Sequence, residues 1–152
     1  MKKRLIGKLE VSPIGMGCMG FSHGYGKIPE REYSIEAIRK AYEFGCTFFD
    51  TAETYGHDLY WEGHNEEILG EATESFRNHI VLATKLHIHD EEVTPDMDLY
   101  HLTKSHLLKS LKRLRTNYVD LYYLHRVTDL VPVEDVAIAM GKLIDEGLIK
   151  GW

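Results

Sequence analysis

The feature that most constrains the fold is a regular alternation of short strand-like runs with helical patterns. Runs rich in β-branched or aromatic residues begin near Ile14, Thr47, Ile80 and Tyr118, at intervals of 33, 33 and 38 residues. Strands that alternate with helices in this way form βα units around a parallel sheet. The spacing is roughly that of a TIM barrel, in which about 250 residues cover eight units.

Apolar stripes between these runs predict four helices. Each stripe repeats apolar residues at the three- and four-residue offsets of one helix face. The predicted helices cover residues 35–42, 65–72, 107–114 and 132–144. Gly45 and Gly147 are the expected stops of the first and fourth helices, and Asn65 is the expected cap of the second. The run from Leu5 to Val11, broken by Gly7-Lys8, predicts a short hairpin ahead of the first unit.

Together the patterns predict an α/β fold with about four βα units, which is the N-terminal half of a TIM (β/α)8 barrel preceded by a short β-hairpin. One domain is expected over residues 1–152, and the rhythm stops at Gly151-Trp152, where a fifth strand would begin. Half of a barrel leaves unpaired strand edges and an uncovered apolar interior. We therefore expect the C-terminal half to be missing from a truncated product, a fragment or an incomplete sequence.

Composition excludes several classes of function. With 43% hydrophobic and 28% charged residues and a net charge of -6, the chain has the make-up of a soluble globular domain and lacks a nucleic-acid or membrane-surface signature. The basic stretch 104–115 is interleaved with leucines and predicts a solvated helix face. Lys8 and Glu10 interrupt any signal-length apolar run, and Cys18 and Cys46 lack CxxC spacing. A cytoplasmic location is predicted, with the cysteines either buried thiols or a disulfide.

The segment Gly15-Met16-Gly17-Cys18-Met19-Gly20 formally matches GxGxxG. A dinucleotide fingerprint requires its third glycine to open a helix whose N-terminus meets the pyrophosphate. A glycine-rich loop through Pro29 follows instead. The pattern favours a strand whose end and loop let a ligand approach the backbone closely.

Three successive predicted strands end in ionisable residues. Asp50 ends an apolar run with Tyr55 in the loop beyond it, Lys85 closes the run from Ile80, and His125 closes the run from Tyr118. A lone lysine or histidine after a strand is often only a solvated or hydrogen-bonded loop residue. In a barrel, however, the carboxyl ends of all strands face the same mouth, where catalytic residues collect. Their joint occurrence predicts an active site.

The motifs around these positions carry a resemblance that covers the whole chain. They are Gly-x-Gly-Cys-Met-Gly, Phe-Asp-Thr-Ala-Glu-Thr-Tyr-Gly, Asn-Glu-Glu-Ile-Leu-Gly, the Thr-Lys that ends at Lys85, and Asp-Leu-Tyr-Tyr-Leu-His-Arg-Val. The sequence resembles the aldo-keto reductases, (α/β)8 barrels that use NADPH and less often NADH. Residues 1–152 would then be a partial barrel of this family, with strands 1 to 4 and their helices. The variant His125-Arg126-Val127 is similar to the bacterial and plant branch of auxin-induced and sugar-acting reductases.

The resemblance implies a role for each of the four polar residues. Tyr55 is the proton donor to the carbonyl oxygen of an aldehyde or ketone, and Lys85 is the cation that stabilises the tyrosinate. Asp50 pairs with Lys85 and keeps it charged. His125 orients and polarises the substrate carbonyl, so Tyr55 and His125 both contact the substrate.

Cofactor contacts are implied for Asp50 and for the backbone around Met19 and Gly20, which would touch the nicotinamide riboside. The resemblance places the adenosine and 2′-phosphate contacts in later βα loops. We therefore expect this chain alone to bind NADPH weakly and to be weakly active or inactive as a reductase.

Two rival interpretations stay open. His87 and His89 form an HxH pair on one strand face, which could bind a metal in a barrel hydrolase, whereas the main interpretation requires no metal. The chain could also be a non-catalytic homologue that self-associates through its exposed strand edges. Near the predicted acid, His57, Tyr60 and Trp61 indicate either a partly aromatic pocket or surface packing.

Overall fold

The computed structural model describes residues 2–24 and 26–152, and the chain begins with an antiparallel hairpin. Strand β1 (Arg4–Ile6) pairs with β2 (Leu9–Val11) in the register Leu5 to Glu10. The turn between them uses Gly7 at a φ of 57°, which is accessible to glycine without steric cost. The predicted hairpin is confirmed.

Four parallel strands form the central sheet. They are β3 (Met16–Gly17), β4 (Phe48–Asp50), β5 (Val81–Leu86) and β6 (Leu121–Leu124). Their order in the sheet is their order in the chain, β3-β4-β5-β6, and every neighbouring pair is parallel. This is the connectivity of consecutive βα units in a barrel. The predicted partial α/β barrel is confirmed.

Beyond β6, the last residues of the chain lie alongside that strand in parallel. The amide of Val119 donates to the carbonyl of Leu148 at 3.1 Å, the amide of Lys150 donates to the carbonyl of Val119 at 3.2 Å, and the amide of Tyr122 donates to the carbonyl of Gly151 at 3.0 Å. Pairing at the fifth strand position therefore begins a few residues earlier than the sequence pattern indicated.

Four helices cover one face of the sheet: α1 (Arg31–Glu43), α2 (His64–Thr73), α3 (Leu99–Arg113) and α4 (Val133–Asp145). One stripe of each helix is buried in a single apolar core with the sheet, and its fully buried members include Ile38, Leu69, Leu107 and Met140. Gly45 and Gly147 follow α1 and α4 with φ values of 92° and 74°. The left-handed conformation favours glycine there, and both predicted helix ends are confirmed.

The predicted start of α2 is wrong. The helix begins at His64, after Gly63 at a φ of 86°, and Asn65 lies inside its first turn rather than at its cap. The Asn65 side chain is buried and bonds to other loops. Its tertiary partners, and not the end of its own helix, determine its position.

The solvated face predicted for the basic stretch 104–115 does not include Arg113. The side chain of Arg113 is only 18% exposed and pairs with Glu62 at 3.0 Å and Glu66 at 3.1 Å. Helix α3 packs against α2, so an arginine at this contact becomes a link between helices.

Both cysteines are free thiols, Cys18 buried and Cys46 half-buried, so the disulfide alternative is wrong. Among the residues that the structure describes, no helix has the length and apolar character needed to span a bilayer. The cytoplasmic location stays a prediction.

Candidate active site

A lysine ammonium with three hydrogen-bond partners forms the centre of the candidate site. Lys85 Nζ donates to Asp50 Oδ1 at 2.6 Å, to the carbonyl of Thr51 at 2.7 Å and to the phenol oxygen of Tyr55 at 3.1 Å. We call Asp50, the Thr51 carbonyl, Tyr55 and Lys85 the inner cluster. An ammonium has three N–H donors, and here all three are used.

Sheet register brings these residues together. Asp50, the last residue of β4, is opposite Ala83 of β5, and Lys85 lies two residues further along β5. Side chains two apart on a strand share a face, so Asp50 and Lys85 project on the same side at the carboxyl edge of the sheet. Turns after β4 return Tyr55 to this edge, where its amide donates to the carbonyl of Ala52 at 3.2 Å.

His125 completes the group of four residues selected by the sequence. It follows β6, and its amide donates to the carbonyl of Leu86 at 2.8 Å. Its ring stands edge-on to Tyr55 with 5.6 Å between ring centroids, and its Nδ1 lies 3.4 Å from Thr54 Oγ1. Burial, followed by the positive charge of Lys85, lowers the pKa of His125 to about 4. At neutral pH the imidazole is therefore uncharged and carries one N–H.

A pocket opens beside Tyr55 and His125. Its lining includes five histidines; the lining residues are Met19, His23, Thr54, Tyr55, His57, Asp58, His87, His89, His125 and Arg126. His57 therefore belongs to the pocket wall. Tyr60 and Trp61 pack on His64 instead, with ring centroids 4.0 Å and 4.8 Å from it, so the surface-packing interpretation holds for those two.

The segment after β3 leaves room beside the backbone at the same edge. Met19 lines the pocket, and a Cβ built on Gly17 or Gly20 would meet nothing within 4 Å. Gly15 differs, because a Cβ there would lie 2.8 Å from Phe48 Cδ1, so that glycine serves the packing of β3 on β4. Helix α1 begins only at Arg31, so the GxGxxG segment lacks the helix start that a dinucleotide fingerprint needs.

Sequence reasoning missed a buried amide that ties the loops of the site together. Asn65 Oδ1 accepts from Thr51 Oγ1 at 2.7 Å, and Asn65 Nδ2 donates to the carbonyl of Cys18 at 2.9 Å and to Ser22 Oγ at 2.8 Å. One side chain thus joins the segments that follow β3 and β4. Only its place in the Asn-Glu-Glu-Ile-Leu-Gly motif could have signalled this role.

Two further buried polar residues were also missed. Glu53, fully buried in the motif that contains Asp50 and Tyr55, accepts from the amide of His87 at 2.5 Å. His106, from the buried face of α3, places its Nδ1 2.9 Å from the second oxygen of Glu53. Neither residue ends a strand, which was the signal that identified Asp50, Lys85 and His125.

The histidine pair considered as a metal site lies on the pocket wall. The rings of His87 and His89 stand edge-on with 4.7 Å between centroids. Across residues 2–24 and 26–152, no three side chains of His, Cys, Asp or Glu are arranged to hold a metal ion. The two rings therefore lack a third ligand in this arrangement.

Comparison with known proteins agrees with the geometry. The family model described as the aldo/keto reductase family matches residues 13–152. A probable aldo-keto reductase from Glycine max is 38% identical over 145 residues, which cover 93% of this chain and 40% of the relative. The holo form of an aldo-keto reductase from Bacillus halodurans superposes with a TM-score of 0.81 at 32% identity, covering 99% of this chain and 49% of that one.

A second solved structure, an aldo-keto reductase from Klebsiella pneumoniae in complex with NADPH, gives a TM-score of 0.77 at 29% identity. It is matched by all of this chain, which covers 49% of its length. The chain thus spans about half of these relatives or less. Because the family model matches nearly every residue, the chain belongs to the aldo/keto reductase family.

Proposed function

We propose that the protein supplies the proton-transfer half of an NADPH-dependent oxidoreductase site, which reduces an aldehyde or ketone to an alcohol with Tyr55 as the general acid. One observation carries the proposal. Lys85 donates to the Tyr55 oxygen at 3.1 Å while its other two N–H groups are used by Asp50 and Thr51. Because the phenol oxygen accepts from Lys85, its own O–H is free to donate into the pocket.

The same contacts support the departure of that proton. After Tyr55 donates to the carbonyl oxygen, negative charge remains on the phenol oxygen beside the Lys85 ammonium, and an adjacent opposite charge stabilises it. Asp50, 2.6 Å from Lys85 Nζ, supplies the opposite charge for this ammonium in a site where only 15% of the lysine side chain is exposed. The inner cluster is therefore organised for general acid catalysis.

His125 contributes a neutral hydrogen-bond donor. Its uncharged ring stands beside Tyr55, and an N–H aimed at a carbonyl oxygen stabilises the charge that develops there. We therefore assign Tyr55 and His125 as the two contacts to the substrate carbonyl. Their position on one pocket wall supports the assignment.

The residues at this edge fit the nicotinamide end of the cofactor. The open space beside Gly17 and Gly20, and the position of Met19 on the pocket wall, leave room for a flat ring next to Tyr55, with the Asp50 carboxylate nearby. When bound, the nicotinamide supplies the hydride. We favour NADPH over NADH because the Klebsiella pneumoniae relative was solved with NADPH.

In this proposal, residues 1–152 form one half-barrel domain. It contains strands 1 to 4 of a complete aldo-keto reductase barrel, together with their helices. The chain spans 40 to 49% of the relatives described above. The contacts assigned here reach only the nicotinamide, so we expect these 152 residues by themselves to bind NADPH weakly and to show little turnover.

Replacement of the acid tests the proposal. In a complete barrel that contains these residues, we expect Tyr55→Phe to lower kcat for NADPH oxidation with an aldehyde by about 10²- to 10⁴-fold, the usual contribution of a general acid, while NADPH affinity is retained. Absorbance of NADPH measures turnover, and quenching of tryptophan fluorescence measures binding. Tyr33→Phe is the matched control, because Tyr33 lies on α1 with 64% of its surface exposed.

Two outcomes would contradict the proposal. Unchanged turnover in Tyr55→Phe would remove Tyr55 as the acid. Absence of both NADPH binding and turnover in the complete barrel, with self-association of residues 1–152 that depends on concentration in sedimentation, would favour the non-catalytic homologue.

A further inference from the structure

A buried histidine on α3 connects two carboxylates beneath the pocket. His106 Nδ1 lies 2.9 Å from Glu53 Oε2, and His106 Nε2 lies 2.9 Å from Glu92 Oε1. Only 4% of the His106 side chain and none of Glu53 is exposed. Both ring nitrogens thus face carboxylate oxygens at hydrogen-bond distance.

The hydrogen-bond inventory determines the charge of this ring. A neutral imidazole has a single N–H and can donate to one carboxylate only, whereas an imidazolium donates from both nitrogens. Burial lowers the pKa of His106, but the hydrogen bonds and negative charges of Glu53 and Glu92 outweigh burial and raise it. The two contacts and the direction of the pKa shift both favour an imidazolium between two carboxylates.

Two other titratable groups lie near the ring. The ring of His89 lies 6.5 Å away between centroids. Burial, followed by the charges of Glu53 and Glu66, raises the pKa of Tyr122 on β6 well above its usual value, so that phenol stays neutral. The charges that face His106 are those of Glu53, from the loop after β4, and Glu92, from the segment after β5.

Each carboxylate uses its remaining oxygen on the backbone of the pocket wall. Glu53 Oε1 accepts from the amide of His87 at 2.5 Å, and Glu92 Oε2 accepts from the amide of His89 at 2.9 Å. His87 and His89 line the pocket together with Tyr55. Glu53 also lies two residues before Tyr55 in the chain, so the network joins the loop of the acid to the opposite wall.

We propose that His106 is a positioning residue whose protonated ring bridges Glu53 and Glu92 and thereby fixes the 87–92 segment as the wall that holds a polar carbonyl substrate beside Tyr55. The role in substrate binding rests on the proposed function. The bridge itself does not, because it consists of contacts within the chain.

The bridge predicts a dependence on pH with a defined sign. Because the pKa of His106 is raised on folding, its contribution is complete below the ordinary histidine value of about 6.5 and is lost as pH rises through the higher value of the folded protein. Above that value the neutral ring can donate to only one of the two carboxylates. The 87–92 segment is then held less firmly.

Hydrogen exchange of two backbone amides tests the bridge without any assay of turnover. In His106→Ala we expect the amides of His87 and His89 to exchange at least tenfold faster, while the amide of Leu82, held by Asp120 in the core, is unchanged. His101→Ala is the matched control, because it removes an exposed histidine from the same helix. Unchanged protection of the two amides in a folded His106→Ala protein would overturn the proposal.

Wild-type protein provides a second test in case the variant fails to fold. NMR of the His106 ring gives its midpoint, and exchange at His87 and His89, corrected for intrinsic chemistry, should accelerate through the same pH. If the corrected exchange rates of these two amides did not change through the His106 midpoint, the proposal would be overturned.

Steady-state kinetics test the link to the substrate. In a complete barrel that contains these residues, we expect His106→Ala to raise KM for the carbonyl several-fold with NADPH affinity unchanged, and KM of the wild type to rise with pH through the His106 midpoint. An unchanged KM would overturn the positioning role. Absent turnover in every complete barrel, the wild type included, would instead contradict the proposed function, and the exchange results would still decide the bridge.

Discussion

Two neighbouring residues of β5 belong to two charged clusters on opposite faces of the sheet. Lys85 belongs to the inner cluster with Asp50 and Tyr55, at the mouth of the sheet. Thr84 points to the helices, where its hydroxyl donates to Glu66 Oε1 at 2.6 Å and Arg113 approaches the other oxygen of Glu66 at 3.1 Å. We call Glu62, Glu66, Thr84 and Arg113 the outer cluster. Each cluster combines a carboxylate, a cation and a hydroxyl.

The two clusters differ in how far their side chains are exposed to solvent. Glu66 and Thr84 are fully buried, and burial raises the pKa of Glu66 against the opposing effects of Thr84 and Arg113. In the inner cluster, 29% of the Asp50 side chain is exposed and Tyr55 borders the pocket. The same groups can therefore act as a structural link when enclosed and as a candidate acid when one hydroxyl faces a cavity.

The largest expected effect on stability comes from removing the cation of the outer cluster. Arg113→Met leaves the buried carboxylate of Glu66 without its cation, and breaking a buried pair in this way costs roughly 3–5 kcal/mol. The matched substitution Lys85→Met should cost less, because 29% of the Asp50 side chain is exposed and water can solvate the carboxylate that is left behind. Urea denaturation measures both.

For activity we expect the reverse ranking: Lys85→Met should lower turnover more than Arg113→Met does. Lys85→Met removes the cation beside the Tyr55 oxygen, so turnover should fall with the fold intact. Equal losses of stability in Arg113→Met and Lys85→Met would refute the distinction between an enclosed and an open cluster.

A smaller loss is expected where α2 meets α3. Gly70 lies one turn after Glu66, and a Cβ on it would lie 2.3 Å from the carbonyl oxygen of Arg113 and 2.7 Å from Leu114 Cα. These are backbone atoms, so Gly70→Ala must separate the helices and strain the outer cluster, at a cost of roughly 1–3 kcal/mol.

A glycine of α4 provides the control for this substitution. A Cβ on Gly141 would meet nothing within 4 Å, so Gly141→Ala should be neutral or stabilise by up to about 1 kcal/mol through helix propensity. The free energies of unfolding of the two variants should therefore change in opposite directions or differ by at least about 1 kcal/mol. Similar values would mean that the close approach of α2 and α3 does not enclose the outer cluster.

The fold was predictable because its signals are local and periodic. Buried stripes such as Ile38 in α1 and Met140 in α4 repeat at helical spacing, and Gly45 and Gly147 mark helix ends by their positive φ. The start of α2 was not predictable, because Asn65 is used for contacts with loops that are distant in sequence. A capping residue and a buried tertiary amide have the same appearance in a sequence.

The candidate site also has a part that the sequence indicates and a part that it does not. Asp50, Lys85 and His125 each end a strand, so topology alone indicates that they meet, and the structure brings them together with Tyr55. The bridge through His106 joins residues 53 positions apart without a motif of its own. On an amphipathic helix, a buried imidazolium occupies a position that the pattern cannot distinguish from an apolar one.

The smallest expected effect is a shift in titration that separates an open histidine from an enclosed one. Burial, then Lys85, then His87 and Arg126 lower the pKa of His125 to about 4, whereas the pKa of His106 is raised. NMR of the ring protons should therefore show His125 uncharged throughout pH 5 to 8. Between about pH 4 and 6.5 the unfolded chain binds a proton at His125 that the folded chain does not, so this residue makes stability fall as pH falls through that window. Lys85→Met should move the midpoint of His125 upward and leave that of His106 unchanged; a midpoint near 6.5 with Lys85 present would show that the inner cluster does not act on its neighbouring ring.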